Sequence, residues 1–397
     1  MITSAFKFIF QPALSGWLQS MLHKLPASLL ALMMTVSMAH AETGVTADTI
    51  LLGQSTSLTG PLAELGADTT TAEKAYFDYI NAQGGVHGRQ IKVISIDDAY
   101  NPDKTVANVK TLIEKENVFA LFNVLGTPNC IAIMPLLEKH NIPHIAPYSG
   151  AQAVRKPFNR LVFNVRASYH DEVEAIVEHL GVRGITQVAV VYQNNSFGKD
   201  GLDGAKIALD KRKLKIHAET SIESSAVDVD KAAATLAAVK PQAIIMVTSG
   251  VPSAKFIKAY NKLSIGMQFF GLSVLGTQTT VTQLGKDGVG VVVAQVTPFP
   301  FSVTSGIIRE YQMVMKKMGV KTPPSFISME GFINAKVMVE GLRRAGRDLT
   351  RERLIAGLES IGRLDMEGYL INLSKTDHTG SHAVELTVIS KDGRFLR

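Results

Sequence analysis

The chain predicts an α/β fold of two similar lobes, each built on a doubly wound, mostly parallel sheet. Three observations lead there. From Glu42 onward, strand-like and helix-like segments alternate almost without a break, as parallel strands with crossover helices require. A Gly-x-Pro turn closes an apolar run twice, in "VLGTPNC" (124–130) and in "TSGVPSA" (248–254), and each is followed by a helix-like stretch and another apolar run. No low-complexity or Pro/Gly-rich seam separates the halves, which points to lobes joined by several chain crossings rather than by one linker.

Taken in order, the strand expectations are "TILLGQS", "IKVISID", "VFALFNV", "HIAP", "LVFNV", "QVAVVYQ", "KIHAETS", "AIIMVTS", "QFFGLS", "GVVVAQV" and "AVELTVIS". Amphipathic segments lie between them. In "TTAEKAYFDYINAQGG" the residues Ala72, Ala75, Tyr76, Tyr79 and Ile80 share one helical face, and Gly84-Gly85 ends the helix. "LVFNVRASYHDE" and "VAQVTPFPFS" are expected to carry two of the crossings.

The segment before Glu42 reads as an export leader. "LPASLLALMMTVSMAHA" is uncharged and apolar, follows Lys24, and ends in the small-x-small pattern of a signal-peptidase site, so cleavage is expected after Ala41. The alternative, a membrane anchor, has an apolar core shorter than the roughly 18 to 20 residues a span needs. Met21 offers an alternative start, because "MLHKLPASLL" opens like an ordinary leader. Cleavage leaves 356 of the 397 residues and removes Lys7 and Lys24 but no acid, so the formal charge falls from +6 to +4. The densest basic stretch, "DKRKLK", reads as a solvated helix end, and no nucleic-acid partner is implied. Cys130 is the single cysteine, so no intrachain disulfide forms. It also lies far from the cleavage site, unlike a lipid-attachment cysteine, so the mature chain is expected to be soluble, without membrane insertion.

In an open parallel sheet the ligand crevice lies beyond the carboxyl ends of the strands, where helix N-termini present unpaired N–H groups. The turns "LGTP" and "SGVP" suit that place: glycine allows close approach, and proline gives up an N–H that has no helical partner. Thr127 either caps its helix or offers a hydroxyl to an anionic group.

"STSLTGPLAELG" (55–66), "YINAQGGVHGRQIKVISIDDAYNP" (79–102), "LGTP", "YQNNSFG" (192–198) and "ELTVISKDGRF" (385–395) together resemble the periplasmic solute-binding proteins of ABC importers, of the branched-chain amino acid type. The resemblance covers nearly the whole chain after the leader. It implies two lobes joined by a three-crossover hinge, 42–165 with 298–372 and 166–297 with 373–397, that close on a small-molecule solute. It further implies a monomer in the periplasm, a membrane permease as partner, and no cofactor or metal.

The resemblance also places ligand-binding residues. The group meeting a ligand carboxylate falls on Thr127, with Tyr148 and Ser149 of "APYSG" beside it; Leu65 is the bulky residue of the first loop, and Tyr100 closes "DDAY". Phe197 is the aromatic wall of the second lobe, with Gly250 and Val251 at the second turn. Ser273, in "FFGLSV", stands where amino-acid binders of this family keep an acid for the ammonium group. An unpaired buried ammonium costs several kcal/mol. The expected ligands therefore include unaminated acids and amides as well as amino acids, and Glu330 and Asp98 are the alternative ammonium partners.

Enzyme motifs are missing: there is no dinucleotide fingerprint after a strand, no phosphate-binding loop and no nucleophile elbow. His378 and His382 in "HTGSH" have a spacing that suits zinc only on a helix, whereas Gly380 marks a loop. Cys130, on the apolar face "CIAIMPLL", reads as a small buried hydrophobe. Two functions remain open at this level, a receptor that delivers solute to a permease and a sensor of the same fold that signals to a membrane kinase.

Overall fold

The computed structural model describes residues 42–397; the expected leader and its cleavage site lie outside the described residues. The first sheet holds β1 (Thr49–Thr56), β2 (Gln90–Asp97), β3 (Ala120–Phe122), β4 (His144–Ile145) and β5 (Val162–Phe163), parallel throughout in the order β2-β1-β3-β4-β5. The second holds β6 (Val188–Gln193), β7 (Ala218–Ile222), β8 (Ala243–Val247), β9 (Gln268–Gly271) and β10 (Val292–Gln295). These are parallel in the order β10-β9-β8-β6-β7. Every strand read from the sequence is present. Three short ones were not read: the hairpin β11 (Gly362–Asp365) and β12 (Leu370–Leu373), and β14 (Phe395–Leu396), which pairs with β13 (Glu385–Ile389) at the antiparallel edge of the second sheet.

The second sheet shows why its strands are so apolar. Val188 and Val190 pack with Val173, Ile176, Leu202 and Leu209 on one face, while Ala189, Val191, Ile244 and Met246 pack with Ala232, Leu236, Phe256 and Tyr260 on the other. Helices α4 (Tyr169–Val182) and α5 (Ser196–Asp210) cover the first face, α6 (Val229–Ala238) and α7 (Gly250–Asn261) the second. A strand buried on both sides gains nothing from alternation, so "AIIMV" is continuous.

The chain passes between the sheets three times. It leaves β5 through residues 164–168 into α4, returns after β10 to helices α9 (Gly306–Lys317), α10 (Phe326–Ala345) and α11 (Arg351–Glu359), and leaves β12 for β13. Ile307, Tyr311, Phe332, Leu354 and Ile371 from the second pass join the core of the first sheet. The first and third crossings pair directly: Asn164 N donates to His378 O at 2.8 Å and Gly380 N to Asn164 O at 2.7 Å.

Under β1 lies a buried polar chain. Ser95 Oγ donates to Gln54, whose Nε2 donates to the Glu73 carboxyl at 2.8 Å; Asn123 Nδ2 donates to its other oxygen, and Asn334 donates to Asn123 Oδ1 at 3.2 Å. Burial pushes Glu73 up to about 8, against the hydrogen bonds from Gln54 and Asn123 and with the help of Glu330. The folded state therefore holds a proton that the unfolded chain releases from the ordinary glutamate range upward, so stability from this group falls as pH rises between about 4.5 and 8. Glu73→Gln is expected to remove that slope, at most about 1.4 kcal/mol per pH unit. Urea unfolding of both proteins across this range checks it; identical slopes contradict the buried proton.

Candidate functional site

At the carboxyl end of the first sheet, Gly126 takes φ +104° and stands just before helix α3 (Thr127–His140). A Cβ here would lie 2.5 Å from the Tyr100 ring, so only glycine lets turn and ring meet. Thr127 does not cap the helix, whose first turn has no side-chain cap. Its hydroxyl instead lies 2.8 Å from Ser149 Oγ, which accepts from Ala151 N at 3.2 Å. Arg155 fixes that second loop, donating Nη1 to the carbonyls of Ser149 and Ala151 at 3.1 and 3.0 Å and Nη2 to Arg166 O at 3.0 Å.

Tyr100 sits in the left-handed region at φ +62°, next to Ala99 at +50°. Such a pair is costly for residues with a Cβ and needs anchoring. Asp98 supplies it, accepting from Tyr100 N at 2.9 Å, Ser55 Oγ at 2.8 Å, Ser57 Oγ at 3.0 Å and Thr105 Oγ1 at 3.1 Å. Its neighbour Asp97 binds the amides of Leu58, Thr59 and Ala99 and the Thr59 hydroxyl, tying the first loop to the second. Burial would raise Asp97, but the Thr59 hydroxyl and the three amides outweigh it and bring the carboxyl down to about 2.

These loops meet the second sheet's loops around a tight cavity of about 20 Å³, room for about one water molecule. Leu62, Tyr100, Leu125, Gly126, Thr127 and Tyr148 line it from one side; Tyr169, Phe197, Ser249 and Val274 face them. Tyr169 and Phe197 meet edge to face at 5.0 Å. No carboxylate is among the lining residues. The walls are in contact across the cleft: both Glu64 oxygens accept from Thr279 N at 2.9 and 3.1 Å, and Gln152 N donates to Asp200 at 2.7 Å.

Of the residues named from the sequence, Tyr100, Thr127, Tyr148 and Phe197 come together in the lining, and Ser149 touches it through Thr127. Leu65 lies one turn below Leu62 in the adjoining apolar cluster, and Leu62 is the residue that faces the cavity. Gly250 turns at φ +55° against Pro61 O of the opposite loop; Ser249 and not Val251 reaches the lining. Ser273 is buried beside Val274 and bound to Arg166 and Glu172. Asp98 has four donors of its own. Cys130 is buried and donates to Val124 O at 3.2 Å. His378 stacks on Phe163 with centroids 3.7 Å apart and bonds Val162 O, whereas His382 meets Asp171, so the two have separate partners.

Sequence reasoning missed Leu62, Leu125, Tyr169, Ser249 and Val274 of the lining, and Arg166 behind it. It also missed Asn129, in the first turn of α3: both its amide atoms are buried without a hydrogen-bond partner among the described residues.

A family profile described as periplasmic binding protein matches residues 49–394, and the chain belongs to that family. It is similar to the Leu/Ile/Val-binding protein homolog 7 of Brucella suis, 23% identical over 339 residues that cover 81% of this chain and 82% of the relative. Its fold matches the crystal structure of a possible leucine/isoleucine/valine-binding protein from Rhodopirellula baltica with a TM-score of 0.83 and 30% identity, over 89% of this chain and 98% of the other. It also matches an ABC transporter solute binding protein from R. palustris in complex with benzoate, with a TM-score of 0.77 and 21% identity over 88% and 95% of the two chains. Among the described residues no helix is long and apolar enough to cross a membrane.

Asp98→Ala would leave four donors unpaired and release Tyr100 from its anchored turn. We expect a loss of at least about 2 kcal/mol in unfolding free energy, measured by urea titration. An unchanged midpoint would contradict the anchoring role.

Proposed function

We propose that this protein is a periplasmic receptor that captures a small carboxylate- or amide-bearing solute between its lobes and delivers it to an ABC importer. The lobes are 42–165 with 298–372 and 166–297 with 373–397, a monomer exported through a cleavable leader. The observation that carries the reading is the cavity itself. It has one polar corner, Thr127 at the uncapped start of a 14-residue helix, and otherwise mostly aromatic and aliphatic walls.

The corner is suited to an acceptor oxygen. When Ser149 Oγ donates to Thr127 Oγ1, the Thr127 proton is left to donate into the cavity, alongside the first-turn N–H groups and the positive end of the helix dipole. Tyr148 is part of the lining, and the unpartnered Asn129 amide stands in the same first turn as Thr127. Tyr100, Tyr169 and Phe197 offer flat apolar surface to the body of the ligand. Names among the relatives span branched-chain amino acids and benzoate, both of which pair a carboxylate with an apolar body.

A thermal-shift screen over amino acids, aromatic acids, dicarboxylates and amides tests this. A true ligand at 100 times its dissociation constant adds about 2.7 kcal/mol of stability. Thr127→Ala is then expected to weaken a carboxylate ligand roughly 10- to 150-fold, the loss of a hydrogen bond to a charged group, as read by calorimetry. Binding that survives the substitution unchanged would place the ligand's oxygen elsewhere.

A further inference from the structure

Behind the rings of Tyr148 and Tyr169 lies a guanidinium that is almost wholly buried. Arg166 is 2% exposed, and its Cζ stands 5.2 and 5.3 Å from the two ring centroids. Its Nη2 donates to Glu172 Oε1 at 2.8 Å and to Ser273 Oγ, and its Nη1 is 3.4 Å from Glu330 Oε1. Glu172 is further held by Ser273 N at 2.7 Å and by the Ser273 hydroxyl at 3.1 Å. Both acids are therefore ion-paired with the protein's own cation and neither is in the lining, Glu330 by charge alone, since its Oε1 and Arg166 Nη1 make no hydrogen bond among the described residues. Burial raises Glu172 and Glu330 from the ordinary glutamate value, and Arg166 opposes it.

We propose that Arg166 sets the ligand class of the cleft: by pairing with Glu172 and Glu330 it keeps both carboxylates out of the lining, where an ammonium group would need one, so the site selects carboxylates without an amino group. This rests on the carboxylate reading above. A ligand ammonium would enter an aromatic cavity with a guanidinium one ring away, and would shed water without gaining an anion. An unaminated acid of the same shape has no ammonium group to desolvate. The cation–π contacts of Arg166 with both tyrosines further commit those ring faces to the protein's own charge.

Matched pairs that differ only by an α-amino group test it: 4-methylpentanoate against leucine, and 3-phenylpropanoate against phenylalanine, by calorimetry on the mature protein. The wild type is expected to favour the unaminated member at least tenfold. In Arg166→Gln the two carboxylates lose their cation and that preference is expected to shrink at least tenfold, while Arg166→Lys keeps most of it. Preference unchanged in a folded Arg166→Gln overturns the assignment. If that variant does not fold, the wild type and Glu330→Gln decide: leucine bound as tightly as its unaminated partner, and lost in Glu330→Gln, makes Glu330 the ammonium partner and overturns it. A wild-type preference that Glu330→Gln keeps or widens supports it. If neither member of either pair binds but amides do, the carboxylate reading fails first and takes this one with it.

Discussion

A guanidinium taken out of water must be paired on the spot, and that requirement organises this molecule at its hinge. Arg166 belongs to the first crossing, Glu172 to the helix that follows it, Glu330 to the helix reached after the second crossing, and Ser273 to the loop after β9. Burial pulls Arg166 down, but Glu330 and Glu172 more than offset it and keep the group charged. Removing the guanidinium would strand two carboxylates in the interior, at several kcal/mol. The crossing is further tied through its backbone, since Arg155 donates to Arg166 O while holding the loop that carries Ser149.

The cleft inherits its shape from such buried polar anchors. Asp97 and Asp98 each gather several donors from the loops around β1 and β2, and so hold Ala99 and Tyr100 in a backbone region that side chains disfavour. Gly126 then accepts the Tyr100 ring where a Cβ would collide. Thr127 is thereby presented with its helix start uncapped, whereas α4 is closed by the Ser168–Asp171 capping box. Rigid polar supports behind a mostly apolar lining keep the few polar lining atoms in place, as a selective pocket requires.

Much of this was legible in the sequence. Strands covered on both faces read as unbroken apolar runs, and the repeated Gly-x-Pro turns marked where two helices start at the cleft. The hairpin "GRLD"/"LINL" escaped because β11 is largely exposed and carries two charges, and β14 because it has only two residues. In the site, Thr127 and Tyr100 were found through the resemblance, which places them in the turns after β3 and β2. Arg166 and Tyr169 sat in a segment read as a connector. The partners of Arg166 at positions 273 and 330 are far away in the chain, and no local pattern announces such a pairing. Glu330 and Asp98 looked available as lone acids, yet the structure gives each its own buried partners.

The most direct measurement of the account is a crystal structure of the mature protein grown with a saturating small carboxylate found by the thermal-shift screen. The account predicts the ligand's carboxylate within hydrogen-bond distance of Thr127 Oγ1 and the first turn of α3, its body between Tyr100, Tyr169 and Phe197, and Arg166 still bonded to Glu172 and Ser273. A ligand seated outside this cavity, or an Arg166 side chain swung inward to meet the carboxylate itself, would contradict it.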